Sequence, residues 1–238
     1  RGRAARAGSS AVSEDITGVS VEEASRQQKE RSIWSRQAPS YDARTLKVYA
    51  AAYQRSVAKA CAVLSSRDRV VEIGCGTGIV TLGVAPCVAC VTGTDIAPEM
   101  IEVAREKAQQ RGLENVHFRV SDGYGLPFDD ASFDAVLLFN TLHVVKEPGA
   151  LLREAHRLLR PSGYLVSATD CYAEPVPLPI QLKLLLQDLL KALRVIPFLS
   201  SFTVDDLRRL FECASFEVVE TDILHPAPVN AYVLGRRV

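Results

Sequence analysis

The chain has 238 residues, of which 47% are hydrophobic and 24% are charged, a composition typical of a globular protein with a sizeable core. Its 28 basic and 28 acidic residues cancel, so no long-range field would gather nucleic acid or an anionic membrane. The sequence contains no uncharged apolar run of about eighteen residues, the length a membrane span requires. We therefore expect neither a nucleic-acid partner nor a transmembrane segment.

The first 30 residues are expected to form a flexible tail. The chain opens RGRAARAGSSAVS, with three arginines and no acidic residue before Glu14. This composition fits a cleaved transit peptide, a cloning boundary or a plain flexible tail, and the three readings stay open. We expect a cytoplasmic protein, with a mitochondrial location kept open by the arginine-rich start.

Residues 31–66 have the pattern of a helical cap, after which strands and helices alternate. Strand–helix alternation at this spacing indicates right-handed βαβ units and a doubly wound parallel sheet. The core of that sheet is expected over 67–170. The predicted strands cover 69–73, 88–95, 115–122, 133–140 and 163–170, and the predicted intervening helices cover 98–111 and 148–160.

The alternation of predicted strands and helices ends after Asp170. Residues 171–202 carry three alternating prolines and then a leucine-rich helical pattern over 182–199. That helix is expected to pack on the domain, to form a lid over the site, or to make a dimer contact. Residues 203–238 start with a capping-box pattern and end in two strands, expected to pair antiparallel at the sheet edge. The fold prediction is therefore a mostly parallel, seven-stranded Rossmann-like sheet with an antiparallel edge strand.

Six cysteines are too few for a disulfide scaffold in a chain of this length, so we expect a reducing compartment. Cys87 and Cys90 form a single CxxC pair, without a second pair or an HxxxH to complete four zinc ligands. The cysteines are interpreted as small buried side chains, and no metal is expected.

The most informative segment is VVEIGCGTGIV, residues 70–80. Glycines recur at every second position after the first strand, which allows backbone to approach a ligand closely. A dinucleotide-binding fingerprint requires GxGxxG/A, and Ile79 stands where its third small residue should be. A nicotinamide oxidoreductase is therefore disfavoured, and no Walker A lysine follows the loop.

The E-x-G-x-G-x-G pattern resembles motif I of the class I S-adenosylmethionine-dependent methyltransferases. The resemblance continues with Asp95 at the end of the second strand and with SDGYGLPF (121–128). It extends through FDAVLLFNTLHVV (133–145) and LLREAHRLLRPSGYLV (151–166). The segment WSRQAPSYD (34–42) is similar to the N-terminal segment of the branch that contains the ubiquinone and menaquinone C-methyltransferases.

This resemblance implies S-adenosylmethionine as cofactor and S-adenosylhomocysteine as product. The cofactor's amino-acid end would lie over the glycine loop, with Glu72 beneath it holding the loop amides. Asp95 would bind the ribose hydroxyls, and Asp122 with the Gly123 backbone would meet the adenine edge. Leu126 is a further candidate for packing on the adenine ring. The complete set of expected cofactor-binding residues is Tyr41, Glu72, Gly74, Cys75, Gly76, Thr77, Gly78, Asp95, Ile96, Met100, Asp122, Gly123 and Asn140.

The acceptor is less defined. His143, just beyond the fourth strand, is the candidate general base, and the alternative is a residue that shapes the pocket. The (D/N/S)PP(Y/F) segment of amino-methylating nucleic-acid enzymes is absent, and the leucine-rich 182–199 region suggests a small apolar or lipid-like acceptor. The predicted function is in-line methyl transfer to such a small molecule, by a monomer or homodimer. A non-catalytic cofactor-binding partner or activator protein is the alternative.

Overall fold

The computed structural model describes residues 21–179 and 198–238, and within them seven strands form one mixed sheet. The strands are β1 (Arg69–Ile73), β2 (Cys90–Asp95), β3 (Val116–Val120), β4 (Phe133–Phe139), β5 (Leu159–Cys171), β6 (Phe216–Pro226) and β7 (Val229–Arg237). The helices are α1 (Val21–Gln37), α2 (Tyr41–Val63), α3 (Ile79–Val84), α4 (Pro98–Gln110), α5 (Pro148–Leu158) and α6 (Val204–Cys213), with short 3₁₀ turns at Ala38–Ser40 and Ala85–Cys87.

The strand order is β3-β2-β1-β4-β5-β7-β6. Strands β1 to β5 pair in parallel, whereas β7 runs antiparallel to both β5 and β6 and lies between them. The predicted doubly wound, mostly parallel sheet with an antiparallel pair at its edge is confirmed. The order in which successive strands are added to the sheet reverses between β1 and β4, and ligands of such folds bind at the carboxyl ends of the strands at this switch point.

Strands β1 and β4 form because they are apolar on both faces, as buried parallel strands require. Val70 and Val71 of β1 are both fully buried but point into different clusters. On one face the sheet packs against α5 and α6, with Leu151 and Phe211 at the contact. On the other face it packs against α2 and α3. This three-layer core holds the loops at the carboxyl edge of the sheet.

Part of the region expected to be a flexible tail is helical. Helix α1 begins at Val21, so residues 21–30 are helical rather than part of a tail over 1–30. Within this part of α1, Arg26 pairs with Glu30 at 2.6 Å, and Gln27 donates a hydrogen bond to Asp122. Residues 1–20 and most of the leucine-rich segment 182–199, with its expected lid or dimer role, lie outside the described residues.

The interpretation of all cysteines as buried small side chains was wrong for Cys61 and Cys87, which form a disulfide. Cys61 lies near the end of α2 and Cys87 in the 3₁₀ turn after α3, so packing of α2 on α3 brings their Cα atoms within 5.7 Å. The linear spacing of 26 residues does not reveal this proximity. Cys213 is also exposed rather than buried.

Most other elements begin and end within about two residues of their predicted bounds, but β5 begins at Leu159 rather than at 163, because α5 ends at Leu158. Thr203 and Asp206 form the predicted capping box at the start of α6, with the side chain of each accepting from the backbone of the other.

Among the helices in the described ranges, none is both long and apolar enough to cross a bilayer.

Candidate cofactor cleft

A cleft opens at the carboxyl ends of β1, β2, β3 and β4. It encloses roughly 1020 Å³ when the part open to solvent is counted. Helices α1 and α2 cover one side of it. The sequence-predicted residues that line it are Tyr41, Glu72, Gly74, Cys75, Gly76, Asp95, Ile96, Met100, Asp122, Gly123 and Asn140.

The glycine loop after β1 has the conformation that its glycines permit. Gly74, Gly76 and Gly78 all adopt positive φ, at 76°, 52° and 77°. At Gly74 a Cβ atom would lie 2.5 Å from the Thr141 hydroxyl oxygen, so a side chain there would collide with the β4 exit. The loop therefore exposes backbone close to the cleft, where a carboxylate can be met by N–H groups.

The loop is held by the end of β2. The backbone N–H groups of Gly74 and Cys75 donate to the Thr94 carbonyl at 2.7 and 2.9 Å. The backbone N–H of Gly76, the next residue in the loop, donates to Asp95 Oδ2 at 2.9 Å. Asp95 Oδ1 also accepts from the Ala97 N–H at 2.9 Å. Burial raises the pKa of Asp95, while the hydrogen bonds from Ala97 and Gly76 act against that rise.

Glu72 lies beneath the loop, but its observed contact is with α3. Its carboxylate accepts from the Thr81 hydroxyl, and the loop amides described above bond to Thr94 and Asp95 instead. Only 2% of Glu72 is exposed, and this burial raises the pKa of the carboxyl to about 8. Glu72 therefore ties the start of α3 to β1.

Asp122 and Gly123 form the wall of the cleft after β3. Asp122 Oδ1 accepts from the Tyr124 N–H at 3.2 Å, and Oδ2 accepts from Gln27 Nε2 at 3.1 Å. Gly123 has φ of 89°, and a Cβ on it would lie 2.7 Å from Ile73 Cγ2. Close packing and a left-handed backbone both require glycine at this position.

The cap formed by α1 and α2 touches the cleft at several points that sequence reasoning missed. Arg26, Gln27, Glu30 and Trp34 of α1 line it, although the sequence placed the first three in a tail. The sequence pattern does not predict a helix here, because these side chains are mostly charged or polar and a mostly polar helix has no clear apolar stripe.

Helix α2 contacts the glycine loop directly. A Cβ on Gly76 would lie 3.9 Å from the Tyr41 ring, so this ring packs over the loop. Asp42 accepts from the Thr77 hydroxyl and pairs with Lys107 Nζ at 2.6 Å. Thr77 and Gly78 themselves lie behind the loop and do not line the cleft.

Asn140 follows β4 at positive φ, 54°, and its amide makes two side-chain bonds. It donates to the Tyr53 hydroxyl at 3.0 Å and accepts from Asn230 at 2.8 Å. Tyr53 and Asn230 were missed by sequence reasoning, because they belong to α2 and β7, which lie outside the recognised motifs.

His143 follows β4 and is not among the residues that line the cleft. It is 5% exposed, and its ring meets the Tyr172 ring edge-on at 5.6 Å. Its backbone carbonyl accepts from the Ser200 N–H at 2.7 Å. The structure thus places His143 between the β4 and β5 exits.

Comparison with known proteins agrees with this geometry. A family model described as "Methyltransferase domain" matches residues 71–167, the stretch from β1 to β5 that carries the glycine loop, Asp95, Asp122 and Asn140. Over these residues the chain is similar to the methyltransferase domain family. The resemblance seen in its motifs is confirmed.

Curated relatives include methyltransferases of quinone biosynthesis. The demethylmenaquinone methyltransferase of Tropheryma whipplei is 36% identical over 139 residues, covering 57% of this chain and 56% of that protein. The ubiquinone biosynthesis O-methyltransferase of Xanthomonas axonopodis is 38% identical over 102 residues, covering 42% of each. The chain therefore spans about half the length of the curated relatives it matches.

Solved structures share the fold. A chain of the Haloferax volcanii complex between a methyltransferase activator and a methyltransferase superposes with a TM-score of 0.71 at 19% identity, covering 85% of this chain and 96% of that one. The geranyl diphosphate C-methyltransferase of Streptomyces coelicolor, solved with S-adenosyl-L-homocysteine, gives a TM-score of 0.63 at 15% identity, covering 78% and 76%. These likenesses concern the fold of the methyltransferase domain.

Proposed function

We propose that this chain binds S-adenosylmethionine in the cleft and transfers its methyl group to a small-molecule acceptor. The observation that carries the proposal is the bond from the Gly76 N–H to Asp95 Oδ2 at 2.9 Å. It joins the two groups expected to hold the amino-acid end and the ribose, and places them side by side in one cleft.

The residues of the cleft fit the parts of the cofactor. The loop after β1 offers backbone and the N-terminus of α3 to a carboxylate, because Gly74 and Gly76 leave no side chain in the way. Asp95 keeps unused acceptor capacity on each oxygen for a pair of hydroxyls, since a carboxylate has about four acceptor positions. Met100 and Ile96 give an apolar wall for a flat ring.

Asp122 would meet the adenine amino group. Its Oδ2 is bonded by the Gln27 amide, so a ligand amino group would share or replace that donor. The Gly123 backbone can approach the ring edge because Gly123 has no side chain.

The bound cofactor would supply an already activated methyl group on a sulfonium. The protein would then mainly orient the acceptor in line with the methyl and exclude water, the effects that account for most of such an acceleration. Asn140 and Tyr53 line the cleft at the β4 exit and are the residues we expect nearest to the transferring group. His143 would shape the acceptor side from behind this exit.

The acceptor is proposed to be a small, apolar molecule. Two quinone-pathway methyltransferases among the relatives, together with the leucine-rich sequence 182–199, support this choice. The test is S-adenosylhomocysteine release from S-adenosylmethionine with a panel of prenylated quinols, phenols and small amines. Release with a quinol or phenol supports the proposal. Binding of both adenosyl ligands without release on any panel member would favour the cofactor-binding partner instead.

A further inference from the structure

Asp42 joins three elements around the glycine loop. It lies in the first turn of α2, and its two carboxylate oxygens both form bonds outside that helix. Oδ1 accepts from the Thr77 hydroxyl of the glycine loop, and Oδ2 accepts from Lys107 Nζ of α4 at 2.6 Å. One side chain therefore connects the cap to the loop after β1 and to the helix after β2.

The bond to Thr77 is not explained by the stability of the helices alone. An acidic residue in the first turn of α2 and a lysine in the last turn of α4 each suit the dipole of their own helix. That preference accounts for the charges of Asp42 and Lys107, but not for the threonine. Thr77 is 1% exposed, so its hydroxyl needs a partner inside the protein, and the partner it bonds to belongs to the cap.

The residues next to this bond in the chain line the cleft. Tyr41 precedes Asp42 and Gly76 precedes Thr77, and both Tyr41 and Gly76 face the cleft. A Cβ on Gly76 would lie 3.9 Å from Tyr41 Cε1, so the ring lies beside the backbone of the loop. The bond from Thr77 to Asp42 therefore fixes where this ring stands relative to the loop.

The glycine loop is held separately on its other side. The Gly76 N–H donates to Asp95 Oδ2 at 2.9 Å, and the two preceding amides donate to the Thr94 carbonyl. These bonds lead to the end of β2 and do not involve the cap, so they would keep the loop in place if the cap moved. Asp42 thus sets the position of Tyr41 over the loop rather than the conformation of the loop itself.

We propose that Asp42 is a positioning residue, which holds the Tyr41 ring over the glycine loop and so closes the part of the cleft that receives the amino-acid end of the ligand. The inference rests on the proposed function, because it assumes that an adenosyl amino acid occupies the cleft with that end over the loop. Lys107 binds the second oxygen of the carboxylate and keeps the first directed at Thr77.

The two ends of the ligand should respond differently to a change at these bonds. Asp122 and Gly123, which are expected to meet the adenine, are tied to α1 by the bond from Gln27. The bonds of Asp42 go instead to the glycine loop and to α4. Loss of either bond should therefore weaken a ligand that carries the amino-acid end and spare a ligand that lacks it.

The test compares two probes by calorimetry: S-adenosylhomocysteine, and methylthioadenosine, which lacks the amino-acid end. Thr77→Val removes the hydroxyl and Lys107→Met removes the charge. Each should weaken S-adenosylhomocysteine binding by roughly 3- to 10-fold, because one charge-assisted bond is lost. Methylthioadenosine affinity should stay within about twofold. Thr77→Ser keeps the hydroxyl and should bind both probes as the parent does.

Two further substitutions are matched controls. Thr92→Val makes the same hydroxyl-to-methyl change at a buried position of β2 that does not line the cleft. Lys59→Met removes a different ion pair of α2, since Lys59 pairs with Glu220 at 2.5 Å and Asp222 at 3.0 Å and does not line the cleft. Neither control should change the affinity for either probe.

A double-mutant cycle separates positioning from general packing. In an Asp42→Ala background, Thr77→Val should have no further effect on S-adenosylhomocysteine affinity, because the acceptor of its hydroxyl is already gone. Equal weakening of both probes, or unchanged S-adenosylhomocysteine binding in either folded variant, would overturn the inference. The Lys107 side chain is partly exposed, so its arm stands even if Thr77→Val does not fold. Failure of the unsubstituted protein to bind either probe would count against the proposed function instead.

Discussion

Gln27 of α1 donates a hydrogen bond from Nε2 to Asp122 Oδ2 at 3.1 Å, and so links the N-terminal helix to the wall of the cofactor cleft. A second bond, from Arg31 to the Ile96 carbonyl at 3.1 Å, holds the next turn of α1 over the same edge. The helix thus covers the place proposed for the adenine. We expect entry and exit of a ligand to require these contacts to open.

Gln27→Ala should speed ligand exchange. The bond to Asp122 must break when α1 moves, and a typical bond of this kind contributes about 0.5–1.5 kcal/mol. We expect the association and dissociation rates of S-adenosylhomocysteine, measured by stopped-flow fluorescence, both to rise about 3- to 10-fold while the Kd stays within about threefold. Arg208→Ala, on the far helix α6, is the control and should leave both rates unchanged. Unaltered rates in Gln27→Ala would show that α1 does not gate the cleft.

Asp95→Ala should weaken cofactor binding strongly. It removes a charged acceptor from two ribose hydroxyls and the partner of the Gly76 amide, a loss of about 2–4 kcal/mol. That corresponds to roughly 30- to 700-fold in the Kd measured by calorimetry. His143→Ala should change the same Kd by no more than about threefold, because His143 does not line the cleft. A comparable loss in His143→Ala would contradict the placement of the cofactor.

Glu72 should make the free energy of unfolding fall as the pH rises, the reverse of the usual effect of a carboxylate. Burial raises its pKa to about 8 from a usual value near 4.5, so the folded state holds a proton that the unfolded state releases. Its contribution to stability is therefore full below about pH 4.5 and is lost as pH rises to about 8, at up to about 1.4 kcal/mol per unit. Glu72→Gln should gain stability relative to the parent between pH 5 and pH 8 in urea unfolding. A constant difference across that range would contradict the raised pKa.

The Cys61–Cys87 disulfide should stabilise the junction of α2 and α3. It closes a 26-residue separation, for which chain entropy predicts about 3.5 kcal/mol, or roughly 7–14 °C in Tm. Addition of a dithiol reductant should lower the Tm of the parent by that amount and leave Cys61→Ser unchanged. Cys213→Ser, which removes an exposed free thiol, should respond to reductant as the parent does. Equal Tm values for the parent with and without reductant would count against the bond.

Much of the sheet could be predicted from local pattern alone. Strand β1 was placed at 69–73, as observed, because a run apolar on both faces between polar turns has few other readings. The glycine loop and Asp95 were likewise predictable, because they lie within one βαβ unit whose geometry is nearly fixed.

The contacts between distant segments could not be predicted in this way. Asn230 meets Asn140 across 90 positions, and Cys61 meets Cys87 only because α2 packs on α3. The contact of Glu72 could not be predicted either, because its side chain accepts from Thr81 in the first turn of α3 and not from the loop amides. Such pairings depend on the packing of elements, which single-sequence periodicity does not contain.

The most direct test of the account is thermal unfolding with and without an adenosyl ligand. S-adenosylhomocysteine at a hundred times its Kd should add about 2.7 kcal/mol to stability, which raises the Tm by roughly 5–10 °C for a chain of this size. NAD at the same concentration should give no shift, because the loop lacks the third small residue of the dinucleotide fingerprint. An equal shift with NAD, or no shift with S-adenosylhomocysteine or S-adenosylmethionine, would contradict the assignment of the cleft.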